Sequence, residues 1–379
     1  MKIIGIICEY NPLHIGHHKH IRAIRQKYPD SFIVCLMSGN YVQRGTPAVF
    51  DKTLRAKAAL LSGADLVLEL PVTAALSSAE GFAYSGVRIL GGFCDILSFG
   101  AEDPDCEKLM QAAQALLSEE FSAKIKDAMA AGCSFPAARQ TVLEQLGCSV
   151  DTVSKPNNIL ATEYCKAIIA LNSTMIPDPI QRSGDYNDES IDVENPSATA
   201  VRRLILENTS WIDYIPKAAQ QTFQDAAAHH IDAGERAILA KLRTMRDDEF
   251  EAIPFGSEGL WRKLMKNART FSTLSDIIDA TKSKRYTRTR INRMIMCAFL
   301  GLTTEDLNSP APYVRVLALN DSGRKVLVAA RKTGLFPNLG DRIDHPYQEI
   351  ENRCNNLYGL FAVHTPDAPN QKARLYFQE

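Results

Sequence analysis

Two histidines three residues apart, His14 and His17, flank Gly16 in the segment Glu9-Tyr10-Asn11-Pro12-Leu13-His14-Ile15-Gly16-His17. That spacing puts both imidazoles on one side of the first turn of a helix. A helix start offers unpaired N–H groups and a partial positive charge, which suits phosphate. A glycine there removes the side chain where a nucleotide must lie close to the backbone. The imidazoles can donate hydrogen bonds to phosphate oxygens as negative charge builds on departing pyrophosphate. Two plainer readings compete: a pair of surface histidines, or a metal site shared with His18 and His20. Such metal sites usually add carboxylate or cysteine ligands, and Glu9 is the only nearby candidate, so no metal site is assigned.

A second chemical feature is the basic run Lys282, Lys284, Arg285, Arg288, Arg290 and Arg293, six positive charges with no acid between them. Runs of this kind are usually solvated faces. The interleaved Tyr286 and three hydroxyl residues also suit phosphate contact with base or sugar stacking. Arg262, Lys263, Lys266 and Arg269, spaced along one helical stretch, extend the same surface.

The elements that must position these residues alternate in the first half. Strands are expected over Lys2–Cys8, Ser31–Met37, Asp65–Leu70, Asp95–Phe99 and Met175–Arg182. Helices are expected over His17–Lys27, Asp51–Ser62, Ala75–Leu90 and Asn157–Leu171, with a broken helical stretch over Glu107–Leu146. Nearly continuous apolar strands separated by helices imply a parallel sheet covered on both faces. The fold class is therefore α/β, Rossmann-like, and its ligands bind outside the carboxyl ends of the strands. Asp185–Pro196 reads as a polar loop. From Ala198 the pattern is mainly helical, apart from a strand over Tyr313–Leu319 and a turn plus helix over Asn320–Arg331. We place a boundary at residue 208, giving an ATP-binding catalytic domain, 1–208, and a mainly helical domain, 209–379.

With 379 residues, 45% hydrophobic and 23% charged, the chain is long enough for about two globular domains. The net charge of −1 neither supports nor excludes a nucleic-acid partner. Nine scattered cysteines without a C-x-x-C pair argue against a disulfide framework or zinc ribbon. The start Met1-Lys2-Ile3-Ile4-Gly5 is expected to lead into a strand rather than to be a signal peptide, and no apolar run approaches about 20 residues. The expectation is a soluble cytoplasmic protein without a membrane partner.

The H-x-G-H segment after the first strand resembles the nucleotidyltransferase superfamily. Further segments narrow the likeness: Met37-Ser38-Gly39-Asn40-Tyr41-Val42-Gln43-Arg44-Gly45, Leu68-Glu69-Leu70-Pro71, Phe99-Gly100-Ala101-Glu102, Lys155-Pro156-Asn157-Asn158-Ile159-Leu160 and Ser197-Ala198-Thr199-Ala200-Val201-Arg202-Arg203. Together they resemble the bacterial tRNA(Met) cytidine acetate ligase family over most of the first 205 residues. One departure is that Asn40 and Tyr41 stand where other members often carry His and Phe.

The resemblance implies a two-step reaction. Acetate attacks the α-phosphate of ATP, and the acetyl group then passes to the exocyclic amine of the wobble cytidine of elongator tRNA(Met). It implies that His14, His17 and Glu9 are catalytic. Ile7, Cys8, Tyr10, Asn11, Pro12, Gly16, His20, Gly100, Asn157, Arg182, Ser183, Ser197, Thr199 and Arg202 would bind ATP. The basic run would bind tRNA. Plain alternatives stay open: Gly100 as an ordinary strand-end glycine, Asn157 or Asn158 as a helix cap, Arg182 as a solvated surface residue, Ser197 as an N-cap. ATP chemistry brings magnesium with it, although no dedicated carboxylate cluster stands out. The competing functions are an adenylyltransferase of a small phosphorylated metabolite and a non-catalytic RNA-binding scaffold.

Overall fold

A computed structural model describes residues 2–182, 196–334, 337–338, 345–362 and 376–378. Its sheet strands are β1 (Ile3–Cys8), β2 (Phe32–Ser38), β3 (Leu66–Leu70), β4 (Ile96–Ala101), β5 (Ile176–Gln181), β6 (Val314–Asn320) and β7 (Tyr376–Gln378). They lie side by side in the order β7-β6-β3-β2-β1-β4-β5, and Pro337–Asn338 pairs with β6 as an eighth strand. Strands β1 to β5 are mutually parallel.

The main helices before the last sheet strands are α1 (Ile15–Lys27), α2 (Lys52–Leu61), α3 (Ala79–Leu90), α4 (Pro156–Ala170), α5 (Ala198–Leu206), α6 (Leu260–Thr270) and α7 (Arg288–Leu300). Strand β2 shows why its sequence is apolar throughout. Ile33, Cys35 and Met37 pack with Ile21 and Ile24 of α1 and Ala56 and Leu60 of α2. On the other face, Val34 and Leu36 pack with Phe82 and Val87 of α3 and Tyr164 of α4. Both faces are buried, as in a doubly covered parallel sheet. The chain winds outward from β1 through β2 to β3, then resumes on the other side with β4 and β5. The reversal falls beside β1, the position where open α/β sheets bind ligands.

Several elements depart from the expectation. Residues Tyr41–Val42 and Thr46–Pro47 form a small antiparallel hairpin. Helix Tyr347–Tyr358 was not foreseen. Most consequential is β6, which pairs antiparallel with β3 and so joins the sheet of the first half. The following helix Asp321–Arg331 sends Val326 and Leu327 into the same core as β2 and β3. The chain therefore does not part cleanly at residue 208. A helical core runs from Ile238 to Phe361, and Tyr41, Val72 and Leu76 from the first half belong to it. Between β4 and α4, the broken helical stretch forms Cys106–Leu117, Glu119–Ala130 and Phe135–Gln145, with a small core of its own. The polar segment Asp185–Pro196 and Ser183 lie almost wholly outside the described residues.

Candidate active site

His14 ends the loop after β1 as the N-cap of α1, its backbone still extended. Its Nδ1 accepts the Gly16 N–H at 3.1 Å, and His17 Nδ1 accepts the His14 N–H at 3.3 Å. The two rings satisfy two of the orphan donors of the helix start reciprocally and lie tilted by 33° with centroids 3.8 Å apart. This geometry fixes the tautomer. A neutral imidazole whose Nδ1 accepts carries its proton on Nε2. Both rings are neutral: burial above all, then Arg182 and Arg202, brings His14 down to about 3. Burial, His14 and Arg182 hold His17 well below its usual value. The His14 Nε2 is buried without a hydrogen-bond partner. It is a desolvated donor waiting for an acceptor.

Gly16 has a reason that the sequence did not disclose. A Cβ there would lie 2.9 Å from the His14 ring carbon Cε1. The glycine makes room for the capping imidazole. Tyr10 closes the other side, its φ of +44° in the left-handed region and its ring 5.0 Å from His17. Ile7 sends its side chain into the hydrophobic core, so it can meet a ligand only through its backbone. Cys8 is half-buried, and burial pushes its thiol up; Pro12 is buried. His20 lies one turn further along α1, with Nε2 3.0 Å from the Ser98 hydroxyl of β4. Burial brings His20 to about 4, with Asp178 opposing.

Two arginines reach this end of the sheet from opposite flanks. Arg182, just past β5, donates to Asn157 Oδ1 at 3.0 Å. Arg202 of α5 donates to the Asn11 carbonyl at 2.7 Å and to Thr199 Oγ1 at 3.0 Å. Burial lowers the Arg202 pKa to about 10, Glu9 opposing. Burial also lowers that of Arg182, against the attraction of Glu102. Two desolvated guanidiniums beside two neutral imidazoles make an anion site. Ser197 spends its hydroxyl as the N-cap of α5, accepting from Ala200 N at 3.0 Å. The exposed Thr199 is one turn from Arg202. Gly100 lies beside Arg182, where a Cβ would make only ordinary contacts of 3.8 Å.

The helix after Pro156 is capped by neither asparagine. The Glu102 carboxylate does so, accepting from Asn157 N at 3.2 Å and Asn158 N at 2.9 Å. It also holds Asn157 Nδ2 at 2.5 Å, which turns Asn157 Oδ1 toward Arg182. Asn158 is fully buried and returns its Oδ1 to the backbone of Glu102 and Asp103. Glu102 sat inside a recognised segment without an assigned role. Arg55 was missed altogether: fully buried, it ties the carbonyls of Glu9, Ser38, Gly39 and Phe50 together. Only a charged residue on the apolar face of a helix could have signalled it. Glu9 turns its carboxylate to Gln43 N, 2.8 Å away, and Asn11 Oδ1 accepts from Val49 N at 2.7 Å. Among the described residues no group of three or more His, Cys, Asp or Glu could hold a metal ion.

The basic run does not present six free charges. Lys282, Lys284, Arg285 and Arg288 are exposed. Arg285 is 2.8 Å from Glu258, and Arg288 is 2.6 Å from Asp279. Arg290 donates to the Phe255 carbonyl and the Ser257 hydroxyl. Arg293 is buried, lies over the Phe255 ring and donates to the Gln43 carbonyl at 3.3 Å. As placed, Arg293 faces the hairpin of the first half rather than solvent.

A parallel sheet with a capping His-x-Gly-His at its switch point defines a nucleotidyltransferase. Residues 1–372 match the HIGH Nucleotidyl Transferase family, and the chain belongs to it. Among its relatives, the tRNA(Met) cytidine acetate ligase of Acetivibrio thermocellus is 36% identical over 363 residues, covering 89% of this chain and 87% of its own. That of Clostridium novyi is 37% identical over 358 residues, with 89% of each chain covered. The crystal structure of apo Thermotoga maritima TmcAL superposes with a TM-score of 0.91 at 28% identity, over 100% of this chain and 99% of that one. A second form, bound with alpha-thio ATP, gives a TM-score of 0.89 over both chains entire. No helix among the described residues is long and apolar enough to cross a membrane.

Proposed function

We propose that this chain is an ATP-dependent ligase that joins acetate to the wobble cytidine of elongator tRNA(Met). A carboxylate oxygen of acetate attacks the α-phosphorus, and the bond to the bridging oxygen of pyrophosphate breaks. The cytidine N4 amine then attacks the acyl carbon of acetyl-adenylate, AMP leaves, the amine loses its proton, and N4-acetylcytidine results. The observation that carries the reading is the His14–His17 pair, neutral and donor-facing, between Arg182 and Arg202. Acetate is a weak nucleophile, so positioning and charge stabilisation must supply the catalysis. His14 and His17 donate to the polyphosphate, and the two arginines neutralise its growing charge. Asn157, Gly100 and Arg182 face the nucleotide from the β4–β5 side. Ser197, Thr199 and Arg202 face it from α5. Magnesium would come with the nucleotide substrate, since no group of three or more His, Cys, Asp or Glu among the described residues could hold it.

Residues 1–208 then form the ATP-binding catalytic part and 209–379 the tRNA-binding part, with β6 returned to the sheet. A tRNA substrate sets the compartment as the cytoplasm. Likeness to named ligases extends through the helical half, which an adenylyltransferase of a small phosphorylated metabolite would not need. The test is purified protein with ATP, labelled acetate and bulk bacterial tRNA. Label is expected in cytidine, and pyrophosphate exchange is expected to require acetate. Label absent from cytidine, together with acetate-independent exchange, would overturn the reading.

A further inference from the structure

The structure assigns the phosphate-gripping surface for tRNA to a lysine-rich ledge formed by α6 and the loop before α7, rather than to the arginines of that run. The inference rests on the tRNA-modifying reading above. Helix α6 has the sequence Leu-Trp-Arg-Lys-Leu-Met-Lys-Asn-Ala-Arg-Thr, with four cations and no acid. At about 100° per residue, Lys266 lies between Arg262 and Lys263 in azimuth, one turn along the helix. The three therefore share one arc of about 100°. Lys263 Nζ donates to the Lys282 carbonyl at 3.3 Å, which brings that arc against the loop carrying Lys282 and Lys284. The loop is itself held in shape, because Ser283 and Tyr286 exchange backbone hydrogen bonds. The Arg262 guanidinium lies over the Trp261 ring, 4.8 Å from its centre.

What separates the lysines from the arginines is their partners. Among the described residues, the side chains of Lys266, Lys282 and Lys284 make no hydrogen bond or ion pair, and all three are exposed. Arg285 and Arg288 each keep an acid within contact distance. A phosphate approaching either arginine must displace a carboxylate that stays nearby and repels it. Arg269, the fourth cation of α6, is paired with Asp247, but a phosphate approaching Lys266, Lys282 or Lys284 meets positive charge that no acid neutralises, and its condensed counterions are released at no such cost. The occupant is the phosphodiester backbone of a folded tRNA.

The test compares wild type with the triple variant Lys266→Gln/Lys282→Gln/Lys284→Gln and the double variant Arg285→Gln/Arg288→Gln. Bulk tRNA binding is followed by anisotropy between about 50 and 200 mM salt, where phosphate contacts dominate the salt response. Each lost duplex contact should reduce the slope of log K against log salt by about 0.9. The triple variant is expected to lose roughly two to three contacts' worth of slope, and the double variant distinctly less. Far-ultraviolet circular dichroism checks that both variants fold; should either fail, single Lys→Gln and Arg→Gln variants replace it. A wild-type slope in the lysine variant, or an equal or larger loss in the arginine variant, overturns the ledge. Wild-type protein that does not bind tRNA also overturns it, and acetate-dependent pyrophosphate exchange in that wild type then tells whether the catalytic reading survives.

Discussion

Gly45 at the tip of the hairpin and Arg293 of α7 meet backbone to backbone. A Cβ on Gly45 would lie 2.5 Å from the carbonyl carbon of Asn292 and closer still to the Arg293 amide, and the glycine φ is +75°. The contact continues inward: Arg293 donates to the Gln43 carbonyl, and the Gln43 N–H donates to Glu9. The helical half is thereby pressed against the loop that holds the Glu9 carboxylate. Gly45→Ala adds both a clash and left-handed strain, so a loss of about 2–4 kcal/mol is expected in denaturant melts. An unchanged midpoint would mean that the two halves are not in this register.

His14→Asn separates two roles of one residue. Asparagine caps helices well, so its oxygen can take the Gly16 N–H, but its shorter amide does not place an N–H where the Nε2 donor stands. Stability should stay within about 1 kcal/mol. Acetate-dependent pyrophosphate exchange should fall about 10²–10³-fold, the effect of losing one transition-state donor. Full activity in this variant would reduce His14 to a cap.

Buried His14 and half-buried His20 make stability depend on pH in a definite direction. His14 and His20 titrate at about 3 and about 4 in the folded chain, below the ordinary 6.5. Above 6.5 neither state takes up these protons, and the native preference is intact. As pH falls, the unfolded chain binds protons that the folded chain refuses, at up to about 1.4 kcal/mol per pH unit for each histidine. Urea melts should therefore weaken from pH 6.5 toward 4, and less steeply in His20→Asn than in wild type. Parallel slopes would place His20 in contact with water.

Glu102→Gln tests the cap of α4. The carboxylate accepts from two helix amides and from the Asn157 side chain, where a neutral amide has fewer acceptor sites. A loss of about 1–2 kcal/mol is expected. Because Asn157 then loses its hold while His14 and His17 are untouched, KM for ATP should rise with kcat nearly kept. A fall in kcat at constant KM would assign Glu102 a different part.

The sheet was legible because each parallel strand is a continuous apolar run between helical patterns. The site was legible where its motif is local, as in the cap formed by His14, Gly16 and His17. Partnerships across the chain were not. Nothing near Arg285 in sequence announces Glu258, and nothing in Val314–Asn320 says that its partner is Leu66–Leu70. Capping is one of the readings open for Asn157 and Asn158, because they stand at a helix start, yet the cap comes from Glu102. Arg293 reads as one more cation until its burial is known.

The antiparallel strand β6 also imposes an order on synthesis. While the ribosome is still producing the helical half, β3 presents an open hydrogen-bonding edge flanked by apolar side chains, the kind of edge that recruits foreign strands. Only when the segment ending at Asn320 has emerged can that edge be closed. The nascent first half therefore passes through a window of vulnerability to misassembly, in which chaperone cover would matter most.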